Sequence, residues 1–432
     1  MAQTAIFLIG DGMKVVVCGG GASGMTAAIW AAGAGHQVTL LEHKDRIGKK
    51  LLATGNGRCN LTNEALLNNP WEQYLLKDDK SFEKTEVWLR RVFEQFGYAD
   101  TISFFEKLGL VTRSRQGLIY PYSDQATAVL DVLRFEIEDL GIKVVTSQHV
   151  NKITGDKNTG FVVSARHTED NTVFEYKADR VILANGSKAQ PKLGADGSGY
   201  KLARELGHKV AAPRPGLVQL KSDEDYFKSI AGTRIGAECT LYVGNRKIVS
   251  ESGELQLTAY GISGIVIMNL SNYLPIKSAD CKFEDVNVVV DVMPNIKKKD
   301  VLDILKRRVE EHPQRQSSEF LVGILPKKIG DLFLKLCNIG YTCRYKDIPL
   351  SQLEKLTDMI KGWRILVTDT NSFEDSQIAL GGVVLEEVKD TMESKVKPGV
   401  YLCGEMLDIH GRCGGYNLQL AWSTGAIAGM LR

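Results

Sequence analysis

Between Lys14 and Glu42 the chain reads KVVVC, then GGGASGMTAAIWAAGAG, then HQVTLLE. A β-branched run, a glycine-punctuated stretch of small helix formers and a second β-branched run predict a βαβ unit of about thirty residues. The following stretch, 47–63 (IGKKLLATGNGRCNLTN), carries too many turn residues for a regular element, and its length marks it as a structured loop with a function. Apolar periodicity predicts helices over 84–96, 100–108 and 124–139, then strands in GIKVVTSQHVNKI and in FVVSARHTEDNTVFEYKADRVILANG, the latter a hairpin feeding a buried strand at 180–184. After Gly186 the pattern shifts to Gly/Pro punctuation and short strands such as AECTLYVGNRKIVSESGELQLTAY, a small β domain, and then to helices at 298–312, 319–337 and 351–361. Strands return from Trp363, and the chain closes on a helix over 418–431 introduced by glycines and Asn417. A strand followed by glycines at each end, with a different pattern between, predicts one nucleotide-binding domain interrupted at roughly 190–365.

The 432 residues, 44% hydrophobic and 25% charged, suffice for one large core or several smaller ones and exclude a disordered or fibrous chain. Lys+Arg 54 against Asp+Glu 52 leaves a formal charge of +2, which gives no electrostatic case for a nucleic-acid or anionic-membrane partner. The basic run Lys297, Lys298, Lys299 reads as a solvated helix face. No apolar stretch reaches the roughly 18–20 residues that span a bilayer. Residues 1–12 lack a basic n-region and read as a dispensable extension before Met13. Eight cysteines without a CxxC pair or a histidine cluster indicate neither zinc nor a disulfide framework, so no metal and a cytoplasmic location are expected.

The chemistry begins at Gly19, Gly21 and Gly24, which match GxGxxG with Ala22 and Ser23 between them, and at Glu42 and His43 after the second strand. One glycine makes the turn, the next opens the backbone to a pyrophosphate, and the third lets the helix pack closely, with its positive end facing the phosphates. Glu42 would accept from an unphosphorylated ribose. A second cluster, GVYLCGEMLDIHGRCGGYN, sets Glu405 and Asp408 beside a glycine loop (Gly411, Gly414, Gly415) and a helix start at Tyr416 and Asn417. An acid at such a strand end can hold ribityl hydroxyls, and a helix N-terminus can stabilise negative charge on a flavin edge, so both halves make sense around one FAD. Gly194, Gly197 and Gly199 have the wrong spacing for a second dinucleotide motif.

Four blocks, KVVVCGGGASGMTAA (14–28), GKKLLATGNGRCNLTN (48–63), GELQLTAYGISG (253–264) and the stretch from ALGGVV to AWSTG (379–425), make the chain resemble the BaiN/RdsA-like NAD(P)/FAD-dependent oxidoreductases, a family with aminoacetone oxidase-like members. The resemblance implies an α/β fold: a Rossmann-like, glutathione-reductase-like FAD-binding domain (13–190 and 366–432), interrupted by an inserted β-barrel domain (191–275 and 346–365) and a small helical domain (276–345). It implies non-covalent FAD held by Gly19, Gly21, Glu42, Lys50, Arg58, Cys59, Asn60, Val150, Ala184, Gly186, Gly404, Glu405, Asp408, Gly415, Asn417 and Leu418. Ala22, Ser23, Gly24, His43, Asn185 and Tyr416 adjoin these and join the expected cofactor set. Asn185 and Ser187 depart from the usual ATGG, Gln190 stands where a Tyr is common, Ala259 where a His is common and His410 where an Asp is usual. These departures bear on the substrate.

Candidate catalytic residues are Cys59, whose Arg58 neighbour could lower its pKa; His410 and Arg412, which could protonate a substrate carbon or bind an enolate oxygen; and Tyr260 and Tyr416 as phenolic donors. A redox pair of Cys59 with Cys413 is a further reading. The leading expectation is a reductase moving hydride between flavin and a small or medium organic substrate, a conjugated ketone or enoyl compound. The alternatives are a flavin oxidase using oxygen and a flavin-bound redox-sensing or RNA-modifying protein. Electrons would come from NAD(P)H docking without its own Rossmann motif, or from a protein donor.

Overall fold

The computed structural model describes residues 12–75, 79–274 and 283–432, so 1–11 of the expected extension lie outside the described residues. The chain divides into two compact units, one running to Arg214 and resuming at Gln377–Arg432, the other Pro215–Ser376.

In the first unit, five parallel strands lie in the order Val400–Leu402, Arg180–Leu183, Lys14–Cys18, Gln37–Leu41, Lys143–Val145. Val15, Val16, Val17 and Cys18 of the central strand are all buried, as an unbroken β-branched run covered on both faces requires. The single strand read at 141–153 is two elements: Lys143–Val145 stays in the parallel sheet, while Gln148–Asp156 joins an antiparallel sheet with Gly160–His167 and Val173–Ala178. The C-terminal helix, Tyr416–Gly429, is buried on nearly every side against the first helix, Ala22–Gly33. A Cβ on Gly425 would lie 2.5 Å from the Ser23 carbonyl oxygen and one on Gly429 2.4 Å from that of Ala27, so glycine sets the approach of the two helices. From this helix the fully buried Gln419 accepts from the Thr62 hydroxyl (2.6 Å) and donates to the Gly97 carbonyl (3.2 Å), Thr101 (2.7 Å) and Ser423 (2.9 Å). The Trp422 indole donates to the Leu61 carbonyl at 3.0 Å. These bonds tie the 47–63 loop to the helix.

The first unit extends past the expected boundary at 190. Helix Ser198–Glu205 sends Tyr200, Leu202 and Ala203 into its core, and strand Val210–Gly216 pairs with Ile378–Val383. His208, between them, is buried: Ser394 Oγ lies 2.8 Å from its Nε2 and Glu387 Oε2 3.1 Å from its Nδ1. Ser394 Oγ already accepts the Val396 and Lys397 N–H groups, which leaves its proton for Nε2 and makes the ring a neutral Nδ1–H donor to Glu387. Burial lowers the His208 pKa, opposed by Glu387. A depressed histidine contributes stability above its ordinary value of about 6.5 that is lost as pH falls through the folded value. Urea midpoints measured from pH 7.5 to 5 should therefore fall more steeply for the wild type than for His208→Gln.

In the second unit a sheet runs in the order Trp363–Leu366, Val286–Asp291, Arg234–Val243, Arg246–Thr258, Gly261–Ser263, Leu220–Lys221, Asp369–Thr370. Its two outer members are successive pieces of one extended stretch, with Val367 N–H donating to the Val286 carbonyl and Thr368 N–H to that of Lys221, both 2.9 Å, so the ladder returns on itself. Helices Lys298–Glu311, Lys327–Leu336 and Leu350–Gly362 share the sheet's core, Leu305, Phe333 and Leu356 lying with Leu241 and Val288 in one apolar cluster. Strands and helices form one body here, where the sequence reading separates them at 276–345. The single helix expected at 319–337 is a short turn, Ser317–Glu319, and then Lys327–Leu336, because Pro326 can precede a helix but not sit inside one.

Candidate functional site

The loop Gly19–Gly21 leaves the carboxyl end of the central strand. Gly19 has φ +109°, and a Cβ there would lie 2.4 Å from the Ala184 carbonyl oxygen. A Cβ on Gly24 would lie 1.8 Å from the Gly19 carbonyl oxygen, whereas one on Gly21 meets nothing within 4 Å. The three glycines thus divide as the motif requires: two for packing, one facing open space. Glu42 is buried at the next strand end, its Oε2 accepting from Gly20 N–H and its Oε1 from Lys44 N–H, both 2.8 Å. Each oxygen keeps a second lone pair, so the carboxylate fixes the loop and can still receive a hydroxyl. His43 Nδ1 lies 3.2 Å from Glu42, and its Nε2 is buried without a partner among the described residues.

Around this loop the sheet ends converge. Ala184 N–H donates to the Cys18 carbonyl (2.8 Å), Asn185 Oδ1 is buried and unpartnered, and Gly186 takes φ +71°. Gly404 approaches Ser23 so closely that a Cβ would lie 2.3 Å from its Oγ, and Gly404 N–H donates to Thr424 at 2.9 Å. Lys50 and Glu405 form an ion pair at 2.7 Å. Gly48 N–H donates to the Gly20 carbonyl, which brings the 47–63 loop alongside. Val150 is buried in the strand Gln148–Asp156.

The two glycine-rich blocks, far apart in sequence, meet. Asn63 Nδ2 donates to the Gly414 carbonyl (2.9 Å), and a Cβ on Gly415 would lie 3.0 Å from Asn60 Oδ1, an atom buried without a partner. Gly415, at φ +92°, precedes the C-terminal helix, and no side chain caps that N-terminus ahead of Tyr416, Asn417 and Leu418. The Asn417 amide instead clasps the loop before it, accepting from Gly411 N–H (2.8 Å) and donating to the Gly411 carbonyl (2.9 Å). Unsatisfied buried acceptors, an open glycine and an uncapped helix end are what a dinucleotide with a polar ring system would complete.

The candidate catalytic residues fare differently. Cys59 is fully buried at φ +58°, and burial pushes its thiol up to about 12, against the activation that its Arg58 neighbour suggests. Cys413 is pushed up to about 11 by burial, and both sulfurs are free thiols. Tyr416 is buried between Tyr74 and the glycine loop, and burial raises its phenol. Arg412 N–H donates to the Gln73 carbonyl. Tyr260 belongs to the second unit, exposed, with Asn371 Nδ2 donating to its hydroxyl at 3.3 Å.

His410 is not a solvated loop residue. It is buried, its Nε2 accepts Gly381 N–H at 3.0 Å with Asp408 Oδ1 3.4 Å away, and its Nδ1 has no partner. Tyr200, missed by sequence reasoning, is buried with its hydroxyl unpartnered; burial first, then Glu405 and Asp408, raise its phenol. Asp408 also lies in the field of the half-buried Arg214. No sequence signal marks Tyr200, which follows a glycine run of the wrong spacing. Among the described residues no His/Cys/Asp/Glu group is arranged to hold a metal, and no helix is long and apolar enough to cross a membrane.

The family profile described as HI0933-like protein Rossmann domain matches residues 13–431. The 3-dehydro-bile acid delta(4,6)-reductase of Clostridium scindens is 41% identical over 419 residues, 96% of this chain and 98% of that protein. The ribosomal RNA dihydrouridine synthases of Haemophilus influenzae and Escherichia coli are 26% and 27% identical, each over 95% of this chain and 96% and 95% of their own.

Proposed function

The chain belongs to the HI0933-like Rossmann-domain family and is an oxidoreductase; from that premise we propose that it carries a flavin and reduces a carbon–carbon double bond conjugated with a carbonyl. The observation that carries the substrate class is the 41% identity, over nearly the full length of both chains, to a reductase acting on 3-dehydro-bile acids. The dihydrouridine synthases point to the same bond type, an alkene conjugated with a carbonyl.

The cofactor in this reading is FAD, which when bound supplies hydride transfer. Gly19, Gly21, Ala22, Ser23 and Gly24 would take its pyrophosphate, with Glu42, His43 and Val150 on the adenosine side. Lys50, Ala184, Asn185, Gly186, Gly404, Glu405 and Asp408 would line the middle. Arg58, Cys59, Asn60, Gly415, Tyr416, Asn417 and Leu418 would border the ring system. The orphaned acceptors and the open face of Gly21 support this placement. The closed ladder and helices of the second unit correspond in this reading to the inserted barrel and helical elements. NAD(P)H is the proposed donor and the cytoplasm the proposed location.

Saturating a conjugated ketone needs one proton for each hydride, and His410, whose buried Nδ1 has no partner among the described residues, is the residue to relay it, Nδ1 giving a proton as Nε2 takes one up from the Asp408 side. His410→Asn should keep flavin absorbance and lower the rate of ketone reduction by about a hundredfold, as read by single-turnover reoxidation of the reduced protein. The functional reading itself is tested by mixing anaerobically reduced protein with a 4-en-3-one or with oxygen. Reoxidation faster by the ketone supports a reductase, whereas rapid peroxide formation with no ketone consumed would make the protein an oxidase.

A further inference from the structure

A crowd of arginines lies in the first unit, apart from the residues used above except Arg58. Strand Thr112–Arg115 pairs antiparallel with Leu118–Pro121, placing Arg113 and Arg115, two apart, on one face. Both guanidinium groups converge on a single oxygen of Asp124, whose other carboxylate oxygen is buried and, like Arg113 Nε, without a partner among the described residues. Tyr120, opposite Arg113 in the ladder, reaches the 47–63 loop, where a Cβ on Gly55 would lie 3.7 Å from its ring. Arg58 N–H donates to the Gly55 carbonyl, and its exposed guanidinium makes no ion pair among the described residues. Arg58, Arg115, Asp124 and Cys413 all lie within electrostatic reach of the Tyr120 hydroxyl.

Two guanidinium groups therefore share one carboxylate, and a third, that of Arg58, has no ion-pair partner among the described residues, in a chain whose charges otherwise nearly balance. Like charges gathered on one face are unfavourable unless something offsets them. The planar fork of arginine is matched to carboxylates and phosphates, and the buried unsatisfied Nε of Arg113 is a donor left waiting. We propose that Arg58, Arg113 and Arg115 form a subsite for an oxyanion, either the phosphates of a nicotinamide dinucleotide or an acidic group on the substrate. The first source suits a chain with no second dinucleotide motif. The proposal rests on the reductase reading for the identity of the reactant, but not for the existence of the subsite.

Calorimetric titration of inorganic pyrophosphate into flavin-loaded protein tests the subsite directly. Arg115→Ala should weaken binding by about tenfold or more, and Arg115→Lys, which keeps the charge and loses the fork, should recover only part of it. No binding to the wild type, or equal affinity in Arg115→Ala, would overturn the proposal. The source is then assigned by two anaerobic comparisons: flavin reduction by NADPH against reduced nicotinamide riboside, which lacks phosphate, and reoxidation by conjugated ketones with and without a carboxylate. A variant effect confined to NADPH assigns the donor, and one confined to the acidic ketone assigns the substrate. Pyrophosphate binding lost with neither reactant affected identifies an adventitious ion only and overturns the proposal. A wild type that binds pyrophosphate but reacts with no nicotinamide and no ketone upholds the subsite and refutes the reductase reading.

Discussion

Gly21→Leu should yield a folded protein that no longer holds flavin. Gly21 sits at φ −81°, ψ −170°, extended backbone open to any residue, and a Cβ there meets nothing within 4 Å. The protein itself therefore has no objection to the side chain, and unfolding free energy in the absence of cofactor should change by under about 1 kcal/mol. The open space is where the pyrophosphate must approach the backbone, so leucine would occupy it and block the N–H contacts. Affinity for FAD should fall by at least about a hundredfold, roughly the loss of two charge-assisted hydrogen bonds. Reconstitution followed by gel filtration and absorbance at the flavin bands reads this directly, and a yellow Gly21→Leu protein would refute the placement.

Gly24→Ala, three residues on in the same motif, should fail for the opposite reason. Alanine in a helix gains about 1 kcal/mol over glycine in propensity, yet its Cβ would lie 1.8 Å from the Gly19 carbonyl oxygen and 3.2 Å from Ala184 Cβ. The obstacle is backbone, so helix and strand must separate, at a cost of more than about 3 kcal/mol. Chemical denaturation of the cofactor-free protein should show that loss even when no flavin is added. The pair of variants separates the two uses of glycine, one for the ligand and one for the fold.

Much of the first unit was legible because its signals are local. The βαβ unit, the three glycines, Glu42 and the glycine loop before the last helix all lie where periodicity and turn residues put them. What escaped depended on contacts distant in sequence. The boundary moved from 190 to Arg214 because strand Val210–Gly216 finds its partner in Ile378–Val383, over 160 residues away. The 319–337 helix broke at Pro326 although its apolar periodicity continues on both sides. Within the site, composition cannot tell a buried thiol from an exposed one: Arg58 beside Cys59 suggested activation, but Arg58 faces outward while Cys59 is sealed inside. His410 reads as a loop residue until Gly381 and Asp408 are seen against it. Tyr200 carries no motif, and only its unsatisfied buried hydroxyl marks it.

The most direct test of the central claim is the visible spectrum of the purified protein under anaerobic conditions, recorded before and after NADH, then NADPH, and then a conjugated ketone. Flavin bands that bleach with a nicotinamide and return with the ketone are the predicted result. A protein that takes up no FAD on reconstitution, or whose reduced flavin is left unchanged by every conjugated ketone while oxygen restores it at once, would contradict the account.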